Sequence, residues 1–165
     1  MTRKIDDIKL VWDDVLMECD LSFDEDVQDL ETSTGLQTAV IISLFTDRRA
    51  KQDDVLPDPT SFDRRGWWGD LTSSFENDQI GSRLWLLERA KTTSDIPQKA
   101  KKYAEEALQW LVDDGVAAKI EVSAERQPKT DGGDVLALSV KIFKTDGSKE
   151  IMEFAYQWNT QKSRS

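Results

Sequence analysis

The sequence predicts an α+β fold: an N-terminal β-hairpin, two to three helices, and a C-terminal three-stranded antiparallel sheet packed on a helix. Three observations predict it. Apolar residues alternate with polar ones near both ends of the chain. In the middle they recur at helical spacing. Turn-forming residues separate the segments.

Ile8, Leu10 and Trp12 alternate with Lys9 and Val11 as a first strand. Asp13-Asp14 is a turn, and Met17, Cys19, Leu21 and Phe23 alternate with Glu18, Asp20 and Ser22 as the pairing strand. Asp24-Glu25-Asp26 closes this hairpin. A calcium loop starting there fails, because the positions that need Gly and Glu hold Asp29 and Gly35. Cys19 reads as a small core residue.

Thr34 reads as an N-cap, with Gln37 completing a capping box. Leu36, Ala39, Val40, Ser43 and Leu44 then share one helical face. Ile41, Ile42 and Phe45 widen the apolar arc, so the helix is expected to be buried on more than one side. It ends near Asp47-Arg48-Arg49, where the two arginines complement the helix dipole. Residues 51–62 form a loop, since Pro57 and Pro59 forbid regular structure. Arg83 to Ala90 reads as a second helix with Leu84, Trp85, Leu86 and Leu87 as its apolar surface. Asp95 caps a third, with Pro97 in its first turn and Gln98 in the capping-box position. Ala100, Tyr103, Ala104, Ala107, Leu108 and Leu111 make its stripe, Trp110 flanks it, and Gly115 stops it.

In the tail, Ile120 and Val122 begin a strand, and Asp131-Gly132-Gly133 is a turn. Leu136, Leu138, Val140 and Ile142 make a second strand, and Asp146-Gly147 is a hairpin signal. Met152, Phe154, Tyr156 and Trp158 line one face of a third. The helix ending at Gly115 is the expected cover of this meander. The chain divides into residues 1–81, with the hairpin, the buried helix and a Trp-Trp loop, and residues 82–165, with the later helices and the sheet. The two are read as one compact unit.

The composition bounds the function. There are 165 residues, 38% hydrophobic and 33% charged, which fits one soluble domain. The longest apolar run, Ala39 to Phe45, is far short of the roughly 18 residues a membrane span needs. The first residues carry charge with no apolar segment behind it, so a cytoplasmic location before assembly is expected. A single cysteine excludes an intrachain disulfide and a cysteine zinc site. The absence of histidine removes Ser-His-Asp and Cys-His chemistry, and no phosphate loop or dinucleotide fingerprint occurs. No cofactor or metal is expected. The net charge of −10 disfavours nucleic acid as a partner. A hydrolase using two carboxylates is the enzymatic alternative that the composition leaves open. An acidic mimic of nucleic acid would need a regular negative stripe, whereas Lys and Arg are interspersed throughout.

Arg64-Arg65-Gly66-Trp67-Trp68-Gly69-Asp70 is the most distinctive stretch. Its indoles read either as a plug burying a loop or as an anchor in a protein–protein contact, where Trp and Arg are enriched. The glycines lend the backbone freedom on either side. Arg64, Arg65 and Asp70 can pair with one another or with a neighbouring chain. The strand ending at Trp158 has its own pair of readings, a core strand or an edge that accepts another chain's strand.

The run Asp47-Arg48-Arg49 after an apolar helix, a Pro-containing loop, and then Arg-Gly-Trp-Trp-Gly-Asp resembles the Mu-type phage and prophage baseplate protein family, the product of Mu gene forty-six. Leu36 through Arg49, Ser82-Arg83-Leu84-Trp85 and Ala107-Leu108-Gln109-Trp110-Leu111 extend the resemblance, which runs from about Leu10 to Trp158. It implies a non-enzymatic structural protein of a contractile-tail baseplate, related to sheath-initiator or wedge proteins. Its place would be the virion, or a tail-like particle, in several copies around a sixfold axis. By the same resemblance residues 118–158 would offer strands to the tail sheath protein. The Trp67-Trp68 region and the preceding helix would bind wedge or hub proteins.

Overall fold

The computed structural model describes residues 7–13, 16, 18–21, 23–24, 29–30, 32–33, 35–71, 79–88, 95–128 and 134–158. Six short strands open the chain: β1 (Asp7–Ile8), β2 (Leu10–Asp13), β3 (Glu18–Leu21), β4 (Phe23–Asp24), β5 (Asp29–Leu30) and β6 (Thr32–Ser33). Helix α1 (Leu36–Phe45) follows, then 3₁₀ turns at Trp68–Leu71 and Leu84–Leu87. Helix α2 (Ile96–Leu108) runs on into α3 (Trp110–Asp113), and β7 (Ala117–Pro128), β8 (Asp134–Lys144) and β9 (Lys149–Trp158) complete an α+β fold.

The expected hairpin is β2 against β3, paired from Leu10↔Leu21 to Asp13↔Glu18. Around it β1 pairs with β6 and β4 with β5. Such two-residue pairs carry no readable period, so pattern alone could not announce them. Cys19 does not join the core as expected; it is exposed. It faces Trp12 across the hairpin, but β3 is the outer strand, while β2 is the one that leans on α1.

The C-terminal meander has the order β7-β8-β9. Val122, Leu136, Leu138, Val140, Ile142, Met152 and Phe154 are buried on one face, as the alternation requires. Helix α2 covers that face with Ala100, Ala104 and Leu108, and its small alanines let helix and sheet approach closely. Val40, Ile41 and Leu44 of α1 complete the same core. Trp12 stacks on Phe45 at 3.8 Å, and both meet Phe154 edge-on, at 6.4 and 5.5 Å. Hairpin, helix and sheet therefore converge on one aromatic cluster.

Polar side chains of α1 tie the helix to its neighbours. Thr38 Oγ1 accepts the Leu10 amide at 3.2 Å, Ser43 Oγ accepts the Trp110 indole N–H at 3.0 Å, and the Ser82 hydroxyl donates to the Leu44 carbonyl. These contacts answer why threonine and serine occupy buried positions in an otherwise apolar helix.

Several helix-end expectations are corrected. Gly35, left-handed at φ 80°, stands at the start of α1 without a side-chain cap, and Thr34 lies outside the described residues. Arg48 and Arg49 lie beyond the end of α1 instead of in its last turn. The Arg48 amide has left the helix to bond the Ser82 carbonyl at 2.9 Å. Arg83 to Ala90 is no full helix. Leu84 to Leu87 form one 3₁₀ turn with all four side chains buried, and residues 89 and 90 lie outside the described set. Asp95 is the N-cap residue of α2, with Pro97 in the first turn as expected, but its carboxylate reaches Lys99 Nζ at 2.7 Å and makes no side-chain cap bond. Gly115, at φ 71°, does follow the helical run as its stop. The Asp131-Gly132-Gly133 turn lies outside the described residues. At Asp146-Gly147 the Gly147 amide bonds the Lys144 carbonyl, and the Lys144 amide bonds the Ser148 carbonyl at 2.8 Å.

Leu138 is almost wholly buried, whereas Ile151 on the opposite face of the sheet is 48% exposed. Leu138→Ala is expected to cost about 2–5 kcal/mol of unfolding free energy. Ile151→Ala should stay within about 0.5 kcal/mol. Urea unfolding of both variants checks this, and equal losses would contradict the assignment of faces.

Candidate functional site

The loop from residue 51 to 67 has no regular structure, yet side chains lace it to the fold. Its base closes where the Ala50 amide bonds the Arg64 carbonyl at 2.9 Å. The Arg64 guanidinium donates across the loop to the carbonyls of Lys51 and Gln52. Asp54 receives both the Lys51 amide at 2.7 Å and the Arg83 guanidinium at 2.8 and 2.9 Å. Arg83 is buried, holds Glu106 of α2 with its other nitrogen, and lies 4.6 Å over the Tyr103 ring. Burial works against its charge, but the two carboxylates outweigh that and raise its pKa.

Arg65 is the second fastener. It bonds Asp47 at 2.8 Å and Glu88 at 3.0 Å, and its guanidinium lies 4.4 Å over the Trp85 ring. Trp85 is itself fixed by its indole N–H on the Arg48 carbonyl at 2.8 Å. Asp70 accepts the Ile80 amide at 3.1 Å through Oδ1. Arg64, Arg65 and Asp70 thus do not pair with one another; each is engaged by a different part of the chain.

The indoles point the other way. Trp67 is 43% exposed and Trp68 73% exposed, with ring centroids 5.4 Å apart. They are not a buried plug. Gly66, at φ 112°, makes the turn that separates inward arginines from outward indoles. Gly69 has a different reason to be glycine: a Cβ there would fall within the Trp67 ring. Phe62 on the same loop is almost fully exposed, at 97%, and the sequence reading did not single it out. Its signal was a lone aromatic in a polar loop, which periodicity cannot weigh.

In β9, Met152 and Phe154 are core side chains. Tyr156 and Trp158 stand opposite Leu136 and Asp134 in the register, and their side chains lie outside the described residues. What β9 presents outward is its backbone edge. The Ala155 carbonyl receives the Trp12 indole N–H at 3.0 Å from outside the sheet. Alternate residues of an antiparallel strand turn both backbone groups the same way, so Ile151 and Glu153 also face outward. Lys149–Trp158 carries no proline and its register is unbroken. The opposite edge strand, β7, carries a register shift between Ala117 and Lys119 and ends in Pro128.

Among the described residues no cluster of three or more Asp, Glu or Cys could hold a metal ion. No described helix is long and apolar enough to cross a membrane.

A family model described as "Phage protein GP46" matches residues 36–149. The chain is 46% identical over 135 residues to the baseplate protein gp46 of Escherichia phage Mu, spanning 82% of this chain and 88% of that one. It is 42% identical over 125 residues to the Mu-like prophage FluMu protein gp46 of Haemophilus influenzae, spanning 76% of this chain and 80% of that one.

Asp47 offers a test of the Arg65 clasp. Its pKa is raised from 3.8, because burial of the carboxyl outweighs the pull of Arg65. The folded chain then holds the proton more tightly than the unfolded chain, so this group makes stability fall as pH rises above 3.8. Measured by denaturation at a series of pH values, the gap between parent and Asp47→Asn should move in the variant's favour as pH climbs through that range. Movement in the parent's favour would mean that the ion pair dominates and the assignment is wrong.

Proposed function

The chain belongs to the GP46 family of phage proteins, and from that premise we propose that it is a structural component of a phage tail baseplate. Its work is to hold other proteins, with no bond-breaking of its own. The observation that carries this reading is the outward pair Trp67 and Trp68, held on a loop that Arg65 and Arg83 fasten to the core and Arg64 braces from within. Large exposed indoles on a rigid support are what an interface anchor requires, because little freedom remains to be lost on binding.

Two surfaces divide the task. The Trp67-Trp68 face joins a wedge or hub protein of the baseplate. The outer edge of β9 around Ile151 and Glu153, short of the Ala155 carbonyl that Trp12 occupies, accepts a strand from the first ring of tail sheath protein, with main-chain hydrogen bonds supplying affinity. Between the two edges of the sheet, β9 fits this role and β7 does not, because a bulge and a terminal proline protect β7 from strand addition. Copies around a sixfold axis of a contractile tail would each present one such edge, in the virion or in a particle of prophage origin.

The two surfaces are separable by mutation. Trp67→Ala with Trp68→Ala is expected to leave the chain folded at a cost of about 1–2 kcal/mol, since Trp68 is 73% exposed and Trp67 43% exposed. The double variant should be lost from purified baseplates. Glu153→Pro removes one outward N–H and no bond to β8, so it should fold. Particles carrying it are expected to have tubes and baseplates without attached sheath. Electron microscopy reads both outcomes. Normally sheathed tails in the proline variant would refute strand addition, and full incorporation of the double indole variant would refute the anchor.

A further inference from the structure

A groove of about 550 Å³ lies between α1 and the α2–α3 run, next to the Trp67 turn. Ile42 and Ala107 give it apolar lining, and the indoles of Trp67 and Trp110 border it. Trp110 is held in place by its N–H on Ser43 Oγ at 3.0 Å. Among the described residues that line it, three carboxylates, Asp70, Glu106 and Asp113, stand against one guanidinium, Arg48. Glu106 is already engaged by Arg83, Asp113 Oδ1 accepts from Gln109 at 3.0 Å, and Arg48 Nε donates to Gln79 at 3.2 Å. Asp70 differs. Its Oδ1 takes the Ile80 amide, while Oδ2 is buried with no hydrogen-bond partner. A buried acceptor without a donor is costly and rare in a folded chain, and a donor brought in from outside would relieve it.

We propose that this groove receives an arginine side chain of a partner protein, its guanidinium bordered by Trp67 and Trp110 and bonded to Asp70 Oδ2. A guanidinium is planar, stacks on indole faces, and offers several N–H donors to a carboxylate. The excess of carboxylates around the groove, on a chain of net charge −10, selects a cation over an apolar or anionic side chain. Trp67, which is 43% exposed, borders the groove on its solvent side. The proposal rests on the reading of the Trp67 face as a partner surface, and it names what that partner brings.

The test is an indole N–H NMR titration of the full chain, in which each of the six tryptophans carries one indole N–H, assigned by Trp→Phe substitution. The probe is Nα-acetyl-arginine amide, and Nα-acetyl-citrulline amide is its uncharged counterpart. The Trp67 and Trp110 signals are expected to shift saturably with the arginine probe and to respond about tenfold more weakly to citrulline. Asp70→Asn should weaken binding about tenfold. Asp113→Lys, an exposed change that leaves the loop intact, should weaken it several-fold through charge alone. Silence at Trp67 and Trp110, or equal response to both probes, overturns the arginine site. The titration needs no baseplate. A silent titration beside failed incorporation of the double indole variant therefore removes the arginine and keeps the surface, whereas normal incorporation removes the surface itself.

Discussion

Arg65 is where the architecture is fastened. It is the one described non-glycine residue with positive φ, at 49°, a conformation that costs about 1–2 kcal/mol for an L-residue. Something must hold it there. The Asp63 carboxylate takes its amide at 2.8 Å, and its guanidinium spans Asp47 after α1 and Glu88 after the second 3₁₀ turn while covering Trp85. Each ion pair is partly exposed, and alone would be worth little. Together they set one backbone geometry, from which Gly66 turns and the indoles emerge.

This explains why arginine and tryptophan are interleaved. The arginines face inward and tie an irregular loop to a folded frame. The tryptophans face outward and are given a fixed direction by it. Arg83 does for the middle of the loop what Arg65 does for its end, through Asp54 and Glu106. A loop this long would ordinarily lose much conformational entropy on meeting a partner; here the folding of the chain has already fixed it. The sheet shows the same economy. Its apolar face is spent on the core with α1 and α2, which leaves backbone on β9 as the material for contact.

Much of this was legible in the residues. Alternation placed β7, β8 and β9 and told their buried face, because a half-covered sheet enforces a period of two. Helical spacing placed α1 and α2. The Trp-Trp turn drew attention by composition, and its neighbours carried the family resemblance. What could not be read was direction. Nothing in Arg64-Arg65-Gly66-Trp67-Trp68 says that the guanidiniums turn in and the rings turn out, because that depends on Asp47, Glu88 and Trp85, distant in the chain. The cap bonds differ for a related reason: Asp95 holds the N-cap position of α2 but its carboxylate found Lys99, and a Gly at the start of α1 stands in place of the expected threonine. Local signals lose where a tertiary partner offers more. Trp12, which joins hairpin to sheet edge through the Ala155 carbonyl, gave no hint beyond being a large ring in a strand.

The central claim is that the outward indoles are the surface by which this protein is held in a larger assembly. Oxidative footprinting of tryptophan tests it most directly, applied to the purified chain and to intact particles and read by mass spectrometry residue by residue. Trp67 and Trp68 should label readily in the free protein and be protected in the particle, while buried Trp85 stays unlabelled in both. Equal labelling of Trp67 and Trp68 in the two states would contradict the account.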